Sequence, residues 1–142
     1  MLKTVLSPFA DRVYAILRIF SGGVLLLAGS TKIFGLFGMT AMKFAQAPQI
    51  WIGGMIEIVA GLAIVLGLFT RFAAFICSGM MAVAYWQFHV FGGKVQGFQK
   101  FIPTVNEGVS AALLCFVFLY IACRGAGPWS LDAKKEKPAG AN

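Results

Sequence analysis

Four apolar blocks, each about 20 residues long, constrain the fold of this 142-residue chain more than any other feature. They cover residues 13–34, 50–69, 72–91 and 105–123, and a helix of that length crosses a bilayer. The chain is 59% hydrophobic and only 12% charged, a composition that excludes a water-soluble domain of this size. We therefore predict an all-α, integral membrane four-helix bundle.

The connections between the blocks indicate one domain followed by a polar tail. Residues 70–71 form a very short turn, which makes the second and third spans antiparallel neighbours. Pro103 suits the start of the fourth helix. We predict a single transmembrane domain over residues 1–129 and a cytoplasmic, disordered tail over residues 130–142, because the chain there ends in the polar run KKEKPAGAN.

Basic residues set the expected orientation and exclude one class of partner. The net charge is +7, but most Lys and Arg residues lie at the ends of the apolar blocks or in the tail, where they meet anionic lipid rather than nucleic acid. The basic residues on the side of the two termini are Lys3, Arg12, Arg71, Arg124, Lys134, Lys135 and Lys137. Those on the opposite side are Lys32, Lys43, Lys94 and Lys100. This excess predicts that both termini are cytoplasmic.

The ionisable residues of each span share a helical face with small residues. Small residues mark helix–helix contacts in lipid, so these faces point into the bundle. With the termini inside, the outer half of the bundle gathers five polar residues. They are Lys32, Glu57, His89, Asn106 and Glu107. Glu57 is the deepest of this group, and Lys32 is its candidate partner.

This polar group has two interpretations, a functional site or a set of ion pairs that fixes helix register. A functional site would use three residues for catalytic proton exchange and four neighbours for ligand binding. The titratable residues are Glu57, Glu107 and His89, and the neighbours are Lys32, Tyr85, Trp86 and Asn106. The two aromatic rings either pack a flat molecule such as a quinone or belong to an interfacial belt.

Arg18 lies inside the first apolar block, where a charge costs about 2.5–3.5 kcal/mol on insertion scales. We interpret it as a structural charge on the inner half of the bundle, with a side chain long enough to reach towards the cytoplasm. Ser78 or backbone carbonyls are its candidate acceptors. Asp132 is a candidate ion-pair partner that would fold back from the tail.

Several cofactor classes find no ligands in the sequence. The three cysteines form no CxxC pair, which argues against a disulfide framework, a zinc site or thiol–quinone exchange. The single histidine excludes a bis-histidine haem, and no other haem, flavin, iron–sulfur or metal-binding pattern is present. We therefore expect no metal and no intrinsic cofactor.

The chain contains, in this order, the segments LRIFSGGVLLLAGSTKIFG (17–35), EIVAGLAIVLGLFTRFAA (57–74), NEGVSAALL (106–114) and GPWSLD (127–132). These four segments resemble those of the DoxX family of small bacterial membrane proteins. The resemblance implies a multi-pass four-helix protein of the bacterial inner membrane. The family takes its name from a subunit of a thiosulfate:quinone oxidoreductase, and its other members resemble partners in membrane redox complexes.

The resemblance and the polar group together suggest a subunit of a quinone-linked oxidoreductase system that has no redox cofactor of its own. Its ligand would be a quinone in the outer half of the bundle. Its partners would be the lipid bilayer, other membrane or redox subunits and further copies of the chain. The alternative is a non-catalytic scaffold or assembly subunit whose buried charges only fix helix packing.

Overall fold

The computed structural model describes residues 2–136, and within that range every regular element is helical. The α-helices are α1 (Leu2–Leu6), α2 (Ala10–Phe34), α3 (Pro48–Leu66), α4 (Thr70–Ala84), α5 (Val109–Arg124) and α6 (Leu131–Glu136). A π-helical segment, Tyr85–Phe91, continues α4, and a 3-10 turn, Ser7–Phe9, joins α1 to α2. Short 3-10 turns also occur at Leu36–Gly38 and Gly97–Phe101.

Three helical segments are long and apolar enough to cross a membrane, namely Thr4–Phe34, Pro48–Leu66 and Thr70–Phe91. These segments confirm the first three predicted spans. The fourth is shorter than predicted, because α5 begins at Val109 rather than near Val105 and has 16 residues. Its start is displaced by turns that follow Pro103 and by Glu107, whose φ of 61° is incompatible with a right-handed helix.

The four long helices pack as two pairs, α2 with α3 and α4 with α5, and the pairs are joined where α3 meets α4. Close approach in the first pair depends on glycine. A Cβ atom added to Gly29 on α2 would lie 2.5 Å from the carbonyl oxygen of Gly54 on α3, which no real Cβ tolerates. Such contacts let helix backbones associate in lipid, where the hydrophobic effect does not drive helices together.

Large apolar side chains cover the outside of the bundle. Phe20 on α2, Phe72 on α4 and Phe116 on α5 are each about 70% exposed. Buried side chains such as Leu25, Ile64 and Phe118 form a core between the helices. A surface this apolar suits contact with lipid and supports the membrane assignment.

The two ends of the bundle differ in construction. We call one end the turn end, because it holds the short Gly67–Phe69 connection between α3 and α4 and the C-terminus of α5. The other is the loop end, and it holds the two long connections, residues 35–47 and 92–108. Because neighbouring long helices alternate in direction, α2 begins at the turn end and α5 ends there.

The prediction of a disordered tail is wrong for the first part of that tail. Residues 131–136 form α6, and Asp132 docks on the turn between α3 and α4. Its backbone N–H donates to the Gly67 carbonyl at 2.9 Å, and its carboxylate accepts from the N–H groups of Phe69 and Thr70 at 3.1 and 3.0 Å. The polar sequence KKEK indicated a solvated tail, but Asp132, which makes these contacts, lies before KKEK in the chain. The rest of the predicted tail, 137–142, lies outside the described residues.

Candidate functional site

A cavity of about 640 Å³ lies between the two helix pairs, towards the loop end. All four long helices contribute apolar walls, for example Leu25 from α2, Ile56 from α3, Met81 from α4 and Leu114 from α5. The polar lining consists of Lys32, Gln49, Glu57, His89 and Ser110. Concave, mostly apolar spaces of this size with a few convergent polar groups are typical of small-molecule sites.

Lys32 and Glu57 form an ion pair on the cavity wall, as the sequence predicted. The Lys32 Nζ atom lies 2.5 Å from Glu57 Oε1 and 2.7 Å from Oε2. The Glu57 side chain is 5% exposed, whereas that of Lys32 is 38% exposed. The pair also bridges α2 and α3 beside the contact between Gly29 and Gly54. Its position is therefore compatible with ligand binding and with helix packing.

His89 also lies on the cavity wall, and a hydrogen bond to a backbone carbonyl fixes the orientation of its ring. The ring Nδ1 atom lies 3.1 Å from the backbone carbonyl oxygen of Asn106. A carbonyl oxygen can only accept a hydrogen bond, so Nδ1 donates and carries the proton. In the neutral ring this leaves Nε2 with a lone pair, able to accept a hydrogen bond or a proton.

Asn106, predicted to contact the ligand, instead organises the loop behind His89. The Asn106 side chain donates to the carbonyl of Lys100 at 2.7 Å and to the hydroxyl of Tyr85 at 3.3 Å, and it accepts from the N–H of Gly108 at 2.8 Å. Asn106 is only 5% exposed. It therefore acts on the cavity through the carbonyl that holds His89.

Tyr85 and Trp86 lie beside the cavity rather than on its wall, which corrects their predicted contact with a ligand. α-Helical spacing placed them on the cavity face, but the chain from Tyr85 to Phe91 is π-helical, with contacts to the fifth residue along. A step of five residues instead brings Phe88 under Val83 and His89 under Ala84, and these four residues do line the cavity. The aromatic wall is therefore Phe88.

Glu107 does not join the polar group, which corrects the predicted convergence of five residues. It is exposed in the loop before α5, at its positive φ of 61°. The prediction assumed that the fourth helix already included this position. A helix that begins at Val109 leaves the Glu107 carboxylate outside the cavity.

Arg18 lies at the turn end and is fully buried, so its side chain does not extend out of the bundle, which corrects the prediction that it reaches an aqueous surface. Its guanidinium donates to the carbonyls of Ile64 at 2.5 Å and Val65 at 2.9 Å, both in the last turn of α3. It also donates to the carbonyls of Pro128 and Trp129 at 3.3 and 2.8 Å. Backbone acceptors were predicted, whereas Ser78 bonds to α5 instead, at the Cys115 carbonyl.

The prediction that Asp132 folds back to pair with Arg18 is confirmed in part. Asp132 lies at the turn end and interacts electrostatically with Arg18, while the hydrogen-bond acceptors of the guanidinium are carbonyls and the Asp132 carboxylate caps the start of α4. Its third bond comes from the Thr70 hydroxyl at 2.9 Å. Anions are stabilised at helix N-termini by unpaired N–H groups and the helix dipole, which explains the position.

The sequence analysis missed a second arginine cap at the turn end. Arg71 of α4 donates to the carbonyls of Ala122 and Cys123 at 3.0 and 2.5 Å, at the end of α5. Nearby, Arg124 pairs with Asp11 and lies over the ring of Tyr14. The sequence contained a signal for both caps, because Arg18 and Arg71 each lie near the start of a helix, beside the end of an antiparallel neighbour.

Comparison with known proteins identifies the family. The family model for DoxX matches residues 13–90. The chain belongs to the DoxX family. An uncharacterised protein of Haemophilus influenzae is 41% identical to this DoxX protein over 131 residues, which cover 91% of this chain and 95% of the relative. No solved structure matches the chain.

The polar and apolar groups that line the cavity limit the kind of molecule that this DoxX protein can bind there. Lys32 offers N–H donors, Glu57 and His89 Nε2 offer acceptors, and the remaining walls are almost entirely apolar. Among the described residues, no group of three or more His, Cys, Asp or Glu side chains could hold a metal ion. The cavity therefore suits a mostly apolar small molecule with a few polar atoms.

Proposed function

We propose that this DoxX protein is a subunit of a redox-linked system in the bacterial inner membrane, where it binds a quinone in the loop-end cavity. One observation carries the proposal: a single cavity of about 640 Å³ places the Lys32–Glu57 pair and His89 against apolar walls. A quinone ring has an apolar body and two carbonyl oxygens, which match these walls and the Lys32 donors. The excess of basic residues at the turn end supports an orientation with both termini cytoplasmic.

Reduction of a quinone takes up two electrons and two protons. Within the cavity, Glu57 and His89 are the groups placed to exchange protons with the ring oxygens. Because Glu107 is exposed outside the cavity, we assign the exchange to Glu57 and His89 alone. The electrons come from a partner subunit that carries a redox cofactor, and this chain supplies the quinone site and the protons.

The test replaces the buried carboxylate with its neutral isostere. In membranes that contain the assembled complex, Glu57→Gln is expected to lower quinone-linked turnover by about 100-fold per molecule, the lower end of what a positioned acid or base contributes. The yield of folded protein is measured in the same membranes. Unchanged turnover with wild-type yield would show that Glu57 has no part in proton exchange.

A non-catalytic scaffold is the second candidate, and one observation favours it. The Lys32–Glu57 pair joins α2 to α3 next to the glycine contact of the same two helices. If the pair is only structural, Glu57→Gln and Lys32→Met lower the yield of the complex, while turnover per assembled molecule is retained. The ratio of turnover to yield therefore separates the two functions.

A further inference from the structure

A second, wholly apolar space runs along the outside of the bundle between α3 and α4. Its volume is also about 640 Å³, and it forms a groove that is open to the lipid. Its walls include Val59 and Ala63 of α3 and Phe72 and Ile76 of α4. No polar atom is exposed in its lining. The groove extends from the middle of the bundle towards Phe69 at the turn end.

This groove adjoins the loop-end cavity. Ile56 of α3 lines both spaces, and Glu57, the next residue, lies on the cavity wall. From Ile56 to Ala63 the groove follows α3 for about 10 Å at 1.5 Å per residue. The two spaces therefore follow one another along α3, and the polar groups are confined to the cavity that holds Lys32, Glu57 and His89.

We infer that the cavity and the groove together form one elongated site for a quinone with a long isoprenoid tail, with the ring in the cavity and the tail along the α3–α4 groove. The inference rests on the proposed function and adds the class of quinone and the path of its tail. A head with polar atoms and an unbroken hydrocarbon tail matches the division of the site into a polar end and an apolar groove. A water-soluble quinone without a tail would leave the groove to lipid.

Affinity alone is a weak test of the tail's position. A tail that leaves the bilayer for the groove exchanges one apolar environment for another, so the hydrophobic effect contributes little to its binding. The position of the tail is therefore measured directly, by photo-cross-linking. Two probes are used, a long-tailed quinone with a photoreactive diazirine on the tail and the same quinone with the diazirine on the ring.

The full-length protein is labelled in lipid nanodiscs, and the labelled residues are located by mass spectrometry. We expect the tail probe to label the groove, at Val59, Phe72 and Ile76, and the ring probe to label the cavity. Excess unlabelled long-tailed quinone should abolish both. In Ala63→Phe, where a phenyl ring fills the half-buried centre of the groove, tail labelling is lost and ring labelling is retained.

Ala112→Phe is the matched control, since Ala112 is also half-buried but lies on α5, away from the groove. It should leave both patterns unchanged. Tail labels spread over all outer faces, in the pattern that a photoreactive phospholipid gives, would overturn the tail assignment while cavity labelling by the ring probe upheld the proposed function. Absence of competed ring labelling in the cavity would overturn both.

Discussion

At the scale of single residues, Arg18 shows how a charge is accommodated in the apolar interior of this protein. An α-helix leaves its last four carbonyls without the usual helical partners, and the carbonyls of Ile64 and Val65 belong to that set in α3, where that of Ile64 also accepts from the N–H of Gly67. The guanidinium satisfies both, and its positive charge lies at the negative end of the helix dipole. Within residues 2–136, its Nε atom is a buried polar side-chain atom that lacks a hydrogen-bond partner.

Replacement of Arg18 tests this role. Arg18→Met keeps much of the volume but removes the guanidinium hydrogen bonds to four carbonyls, so it should lower the free energy of unfolding by about 1–3 kcal/mol. Arg18→Lys should lie between Met and the wild type, because a compact ammonium group cannot reach all four carbonyls. Unfolding by titration with denaturing detergent measures the order. Equal stability of the Met variant and the wild type would contradict the capping role.

The two carboxylates at the loop end should respond differently to the same substitution. Glu57 is buried on the cavity wall, whereas Glu107 is exposed in the loop. Glu107→Gln should therefore leave quinone-linked turnover within about twofold of the wild type, while Glu57→Gln loses the roughly 100-fold expected of a positioned acid or base. Both variants are assayed in the same membranes. A large loss in Glu107→Gln would return that residue to the site.

At the scale of helices, close packing of α2 on α3 positions the Lys32–Glu57 pair, because the contact between Gly29 and Gly54 lies within one turn of Lys32. A Cβ atom at Gly29 would also lie 2.8 Å from the Cβ atom of Glu57. Any separation of the two helices would therefore displace the carboxylate from the cavity wall. The packing of this pair and the geometry of the site are coupled.

Gly29→Ala should lower the free energy of unfolding by about 1–3 kcal/mol, since overpacking forces the backbones of α2 and α3 apart. Gly23→Ala on the same helix is the control. A Cβ atom there would meet nothing within 4 Å, and alanine is the better helix former, so stability should be unchanged or slightly higher. Detergent unfolding of the pair provides the comparison. A similar response of both variants would argue against a tight glycine contact.

The cap that Asp132 forms at the start of α4 leads to a second prediction at the scale of helices. Asp132→Ala should cost about 1 kcal/mol of stability, the usual effect of removing an N-cap side chain. Asp132→Asn should cost less, because its one remaining side-chain oxygen can still accept from an N–H group at the start of α4. Proteolysis of the detergent-solubilised protein gives an independent measurement, since loss of the cap should release α6 and speed cleavage near Trp129. Unchanged cleavage in Asp132→Ala would mean that α6 is held by other contacts.

At the scale of the whole molecule, the parts predicted from sequence are those that depend on hydropathy and helical spacing. These include three spans, the inward faces and the Lys32–Glu57 pair. The remainder depends on local backbone geometry that average hydropathy does not detect. The segment before Val109 is apolar enough to resemble a helix, yet the backbone of Glu107 stops it, and the π-helical segment shifts Phe88 and His89 by one position relative to α-helical spacing.

The orientation of the bundle is also a property of the whole molecule. With the first and last described helices, α1 and α6, at the turn end, we expect that end to face the cytoplasm, following the distribution of Lys and Arg. A green fluorescent protein fused to the C-terminus should fluoresce, and an alkaline phosphatase inserted at Lys94 should be active outside the cytoplasm. An inactive phosphatase at Lys94 together with a dark C-terminal fusion would indicate the reverse orientation.

The positions of the carbonyls that accept hydrogen bonds from Arg18 have a consequence for biosynthesis. The arginine enters the membrane with the first span, but two of its acceptors are at Pro128 and Trp129, more than a hundred positions later along the chain. Chains grow from the N-terminus, so the nascent protein can offer the guanidinium only its α3 acceptors until nearly all of the chain has been made. A ribosome that stops early therefore leaves a product with an exposed defect inside the bilayer. Membrane proteases could use that defect to distinguish truncated chains from finished ones.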